Sequence, residues 1–283
     1  MADKTMNDEK TIIRALFFDL DGTLLTSEKA LAPSTREALR ACREKGISLF
    51  IATARTPLLE TMLGWTEIEL TLFDGGIYCN GACEKLHGQT RYTFLPAAIV
   101  ASCVKAVQAV PELHLALQLK DEFHAFNEPL ADFADPLWGI DPRLCVLLGL
   151  EVVRQTVKIL IYFENLVDSV TALPLSLTDR CRAISGNQAN VYLTDQGKVL
   201  QITNRQASKF KSIDHLRCLL TLKPEEIAVF GDDWNDLEML TRFPNGVGMG
   251  NADPKLLSQV RYQTQSNDKD GIAYALHTLL GLI

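Results

Sequence analysis

The chain lacks any long apolar run: nothing in its 283 residues approaches the roughly 18 consecutive apolar residues of a membrane-spanning helix. Its first ten residues are polar, without the apolar stretch of a signal peptide, so a cytoplasmic location is expected. Positive charge is in deficit, with 28 Lys and Arg against 35 Asp and Glu. The net charge of −7 argues against non-specific binding to nucleic acid or to anionic membrane, both of which call for a basic face. A small anionic ligand stays possible, because a metal ion and one or two local cations can hold it. No disulfide or zinc pattern exists either. The seven cysteines are odd in number and scattered, Cys79 and Cys83 are the one close pair, and no His cluster completes a metal site. Reduced thiols packed as small apolar residues are expected. Internal repeats and low-complexity linkers are absent. With 47% hydrophobic residues the chain can bury a sizeable core, and its length suits one large domain or two ordinary ones.

Against this background, Asp19-Leu20-Asp21-Gly22-Thr23 stands out, directly after the apolar run Ala15-Leu16-Phe17-Phe18. Four apolar residues without alternation suit a strand covered on both faces, as in a parallel α/β sheet. Ligands of such sheets bind outside the carboxyl ends of the strands, where Asp19 and Asp21 would sit. Two neighbouring carboxylates repel each other unless a cation holds them, and clustered oxygen ligands suit Mg²⁺. A calcium loop would place a third oxygen ligand at the next alternate position and a Glu near its end; Thr23, Leu24 and Leu25 break that pattern. The residues point to phosphoryl transfer.

Ser34 to Glu37 reads as a capping box after Pro33, with Ala38, Leu39 and Cys42 on one helical face and Gly46 as the stop. Residues 47–52 read as a second buried strand, ending at Thr53. A third, residues 226–230, ends at Gly231-Asp232-Asp233, followed by a helix over residues 235–240. Residues 247–249 are a short strand, Asp253-Pro254 starts a helix, and residues 271–280 form a final one. Between them, residues 113–119 and 156–163 alternate in part, with helices predicted over 97–110 and 165–173. That texture suits an antiparallel sheet with helices on one face, inserted into the parallel domain. The expected division is a core of residues 1–82 and 191–283 and an insert of residues 83–190.

In order along the chain come Asp19-Leu-Asp21-Gly-Thr23, Ala52-Thr53-Ala-Arg55, Lys209 opening a helix, and Gly231-Asp232-Asp-Trp-Asn235-Asp236. Asn80-Gly81-Ala82, Met249-Gly250-Asn251-Ala252 and Ser266-Asn-Asp-Lys-Asp270-Gly271 accompany them. On these residues the chain resembles the haloacid dehalogenase (HAD) superfamily, and more narrowly its Cof-type phosphatases with a class IIB cap. The resemblance implies a Rossmann-like parallel sheet core with an inserted α+β cap that selects the substrate. It also implies a Mg²⁺-dependent hydrolase acting on small phosphorylated metabolites such as sugar phosphates, sugar-acid phosphates or pyridoxal phosphate.

The resemblance further implies Asp19 as nucleophile, Asp21 as general acid and base, and Lys209 as the cation opposite the transferring group. Thr53, Ala54, Arg55 and Asn235 would surround the phosphate. Asp19, Asp21 through its carbonyl, Asp232 and Asp236 would hold Mg²⁺. Arg55 reads equally as a surface residue, and Lys211 competes with Lys209. His87, His114, Asp121, Glu122, His124 and Trp138 are the cap candidates for substrate contact. Two departures stand out: Ala54 where Gly is common, and Phe210 after the Lys, which could narrow the pocket. A phosphosugar mutase and a non-catalytic sugar-phosphate sensor are the other readings. The oligomeric state is not encoded in any pattern found.

Overall fold

The computed structural model describes residues 12–110, 112–127, 141–163 and 172–283. Its strands in chain order begin with β1 (Ala15–Phe18), β2 (Ser48–Ala52), β3 (Gly75–Tyr78), β4 (Cys83–Leu86) and β5 (Gln89–Tyr92). Next come β6 (Leu113–Leu119), β7 (His124–Phe126), β8 (Cys145–Val146), β9 (Thr156–Phe163), β10 (Ala189–Thr194) and β11 (Val199–Asn204). The chain closes with β12 (Ile227–Gly231), β13 (Asn245–Gly248) and β14 (Tyr262–Gln263).

Eight strands form one sheet in the order β14-β13-β12-β1-β2-β3-β4-β5, parallel except for the β4–β5 hairpin, which pairs antiparallel onto β3. All four residues of β1 are fully buried because both faces are covered. Leu16 and Phe18 point into a core with the helix Pro33–Glu44 and the C-terminal helix, whereas Ala15 and Phe17 pack with helices Lys209–Leu219 and Leu237–Arg242 on the other side. Burying side chains of this size contributes about 1.5–3 kcal/mol each. In the helix Pro33–Glu44, Thr35, Ala38, Leu39 and Cys42 form the buried stripe. The expected capping box does not form. Pro33, with its fixed φ, takes the first helical position, so the cap falls on Ala32, and the Ser34 hydroxyl donates to Asp270 instead.

The second sheet runs β10-β11-β9-β6-β7-β8 and is antiparallel apart from β7–β8. Leu115, Leu117, Ile159, Ile161, Leu200 and Ile202 cover one face and pack with helices Ala97–Gln108 and Leu175–Ser185. The opposite face, carrying Gln118, Lys158 and Gln201, has no helix layer among the described residues and lines the cavity against the first sheet. Sheet membership differs from the expected division at 83 and 190. In the larger sheet β4 pairs with β3 and β5 with β4, and in the smaller β11 pairs with β9 and β10 with β11. A hairpin adds to the nearest free edge, and no sequence pattern says which edge that is. The predicted helix over 165–173 lies largely outside the described residues. No described helix is long and apolar enough to cross a membrane.

Candidate active site

β1 lies between β12 and β2, where the order of connection reverses, and such a switch point opens a crevice at the carboxyl ends of the strands. Asp19 stands at that edge, its N–H donating to the Phe230 carbonyl at 3.0 Å, which carries the β1–β12 ladder one residue past β1. The chain then turns through Gly22, whose φ is +74°. A Cβ there would lie 2.2 Å from Asp232 Oδ2, so a side chain at this position would displace that carboxylate. Thr23 donates its hydroxyl to Asp232 Oδ1 at 2.7 Å. Carboxylates from the two ends of the sequence are thereby fixed against each other.

Lys209 reaches the pair from beneath. It opens the helix Lys209–Leu219, capped by the Ser208 hydroxyl, and its Nζ donates to Asp19 Oδ1 at 2.7 Å and Asp236 Oδ1 at 2.6 Å. The competing Lys211 turns away, to the carbonyl of Arg205. Burial disfavours the Lys209 charge, but the two carboxylates outweigh it and raise the pKa. Asp236 also accepts the N–H groups of Asp232 and Asp233 on Oδ2, so both of its oxygens are engaged. Burial drives the Asp19 pKa well up, opposed by Lys209 and reinforced by Asp236 and Asp232. It also pushes Asp232 up to about 7, with Asp236 adding to it.

The carboxylates of Asp19, Asp232 and Asp236 lie within 4.8 Å of one another and could hold a divalent cation. Charge favours the fit. Two buried carboxylates and a half-buried third converge on the one Lys209 ammonium, and the all-oxygen donor set is that of a hard cation. With Asp236 fully engaged, Asp19 and Asp232 have the oxygens to offer.

Asp21 sits differently. Arg55 grips it through two hydrogen bonds, Nε to Oδ2 at 2.6 Å and Nη2 to Oδ1 at 2.8 Å, and Lys29 adds a third at 2.7 Å. Burial alone would raise its pKa, but these cations outweigh that and hold it at about 2. Arg55 is thus a largely buried partner of the site. Thr53 is fully buried, anchored by its N–H to the Ile77 carbonyl, and its hydroxyl accepts the Arg55 N–H at 3.1 Å. Asn235 donates to Asn80 Oδ1 at 3.0 Å and leaves its own buried Oδ1 without a partner. Asp19, Asp21, Thr53, Ala54, Arg55, Asp232 and Asn235 all line one cavity of about 560 Å³, with Lys209 and Asp236 buried under its floor. Phe210 does not narrow it: the ring packs on Phe243, centroids 5.5 Å apart, in the helix layer.

The roof comes from the smaller sheet. Of the five cap candidates among the described residues only His124 lines the cavity, its Nδ1 donating to the Glu122 carbonyl. His114 stacks on Tyr162, Glu122 pairs with Lys85, Asp121 bonds Tyr92, His87 sits in the β4–β5 turn, and Trp138 lies outside the described residues. Gln118, Lys158, Thr194 and Gln201 line the roof and were not foreseen. The signal was present: Gln118 and Lys158 are polar members of alternating apolar strands, and alternation puts them on the face opposite the core. A chain of amides joins roof to floor, from Asn235 through Asn80 and Gln201 to Thr194.

A family model for haloacid dehalogenase-like hydrolases matches residues 16–276. The chain is 25% identical over 288 residues to the pyridoxal phosphate phosphatase YbhA of Escherichia coli, covering 94% of this chain and 98% of that protein. It is 28% identical over 253 residues to the HMP-PP phosphatase of Cronobacter sakazakii, covering 86% of each. Its fold matches that of a phosphatase of the haloalkanoate enzyme superfamily from Bacteroides thetaiotaomicron with a TM-score of 0.78, at 23% identity and over 100% of both chains. The chain belongs to the haloacid dehalogenase-like hydrolases, in their Cof-type phosphatase branch.

Proposed function

We propose that this protein hydrolyses small phosphomonoesters, sugar phosphates or similar phosphometabolites, with Mg²⁺ held by Asp19, Asp232 and the Asp21 carbonyl, and Asp236 fixing the site from below. The observation that supports this most is the buried Asp19 carboxylate, set between Lys209 and Asp232 on the floor of the cavity. Asp19 attacks phosphorus, the bond from phosphorus to the ester oxygen breaks, and the departing alkoxide takes a proton from Asp21. Water then attacks the aspartyl-phosphate while Asp21 accepts its proton, releasing inorganic phosphate and restoring the Asp19 carboxylate. Thr53, the backbone at Ala54, and Asn235 bind phosphoryl oxygens, and Lys209 opposes the negative charge that Asp19 passes to the transferring group. Bound Mg²⁺ would neutralise charge on those oxygens.

The grip of Arg55 and Lys29 keeps Asp21 ionised in the free site. A phosphate dianion offers Arg55 the same bidentate geometry as a carboxylate, so substrate draws the guanidinium away and lets Asp21 take up the proton it must deliver. The test is inorganic-phosphate release from a panel of phosphorylated metabolites, with Mg²⁺ or EDTA, beside Asp19→Asn. Release that needs the metal and disappears in the variant is expected; release that survives Asp19→Asn sinks the reading.

A further inference from the structure

Lys158 is buried to 2% exposure in the cavity roof, and among the described residues its one hydrogen bond is to a neutral acceptor, the Ala54 carbonyl at 2.8 Å. An ammonium carries three donors, and a buried charge without a counter-ion is unfavourable. Beside it, Gln118 is paired with Lys158 across β6 and β9, is 4% exposed, and leaves Oε1 with no partner. His124, paired with Gln118 across β6 and β7, completes the row. Its Nδ1 donates to a carbonyl, so Nε2 is left as an acceptor. The roof thus presents a cation and, at His124, an acceptor nitrogen, with the Gln118 side chain lining the cavity between them.

Resting on the phosphatase reading above, we infer that Lys158, Gln118 and His124 form a subsite for a carboxylate and an adjacent hydroxyl, making the preferred substrates phosphate esters of hydroxy acids. The cation answers the carboxylate, and the imidazole nitrogen accepts from the hydroxyl. Position sets the reach. Ala54 follows Thr53 directly, so Nζ stands beside the phosphate loop, and a carboxylate bound there belongs one or two carbons from the ester oxygen. A second phosphoryl group fits less well, since its double charge would meet one ammonium with Asp195 also lining the cavity.

The experiment compares kcat/KM within two matched pairs, each exchanging a carboxylate for a hydroxymethyl group: 3-phosphoglycerate against glycerol 3-phosphate, and 2-phosphoglycerate against glycerol 2-phosphate. Wild type should favour the carboxylate in at least one pair by about ten- to a hundredfold, the range of a charge-assisted hydrogen bond. The ratio should fall towards one in Lys158→Met and in Lys158→Gln, two variants so that a single misfolded protein does not decide the result. A wild-type ratio near one in both pairs overturns the inference. So does a ratio that persists in the variants while both esters slow together, as a purely structural Lys158 would give. Release from none of the four esters, nor from p-nitrophenyl phosphate, would mark the failure of the phosphatase reading itself, and this inference would go with it.

Discussion

His124 shows how one side chain in this site ties folding to pH. Burial pushes its pKa down to about 4, against an ordinary value of 6.5, because the folded protein has no water to offer an imidazolium. Below about pH 6.5 the unfolded chain takes up a proton that the folded chain refuses until about pH 4, so stability falls as pH drops through that window. The contribution is about 3 kcal/mol when fully lost. Urea unfolding at pH 7 and at pH 4 should show the wild type losing more than His124→Gln by about that amount; equal losses would refute it. Gly22 makes a different point at the same scale. A methyl group there collides with Asp232, so the residue is fixed by its missing side chain rather than by any chemistry it performs.

Among the elements, the loops over residues 249–252 and 266–271 act as braces. Asn251 donates to the Gly22 carbonyl at 2.8 Å, and Asn267 donates to the Leu25 carbonyl at 2.9 Å while its N–H meets Asn251 Oδ1. Ser27 is held by Asp268 through both its N–H and its hydroxyl. The turn that carries Asp19 and Asp21 is therefore clamped from outside. Asn251→Ala should lower kcat/KM by about ten- to a hundredfold, the usual cost of losing an orienting partner near a metal site. Its melting temperature should stay close to wild type, and a loss of fold together with activity would argue against bracing.

The same elements show what was legible in the sequence. Uninterrupted apolar runs announced β1, β2 and β12, since burial on both faces leaves no room for polar alternation. Acids at the ends of β1 and β12 marked the cavity floor before any contact was known. The roof was harder to read. Lys158 and Gln118 look like ordinary surface residues in sequence, and only the placement of that face of the smaller sheet over the larger one turns them into cavity walls. The hairpin β4–β5 went unread for a related reason: its edge is chosen by tertiary packing, which no local pattern records.

At the scale of the molecule, two sheets meet across one cavity, and an acidic floor that could hold a cation would couple the whole fold to it. Mg²⁺ at about a hundred times its dissociation constant should add about 2.7 kcal/mol to stability. For a chain of this size that raises the melting temperature by about 5 °C over the EDTA-treated protein. Asp232→Asn should abolish the shift, and a shift of equal size in that variant would place the ion elsewhere. The chain leaves the larger sheet after β5 and returns after β11 at neighbouring points, where the Asn204 side chain donates to the Phe94 carbonyl at 2.6 Å. The stretch between is entered and left through one doorway, and no described strand of the larger sheet lies inside it. Such a segment is a cassette. A different roof could be spliced in at residues 94 and 204 without cutting the phosphate chemistry below, so new substrates are within reach of this scaffold by exchange of a single continuous stretch.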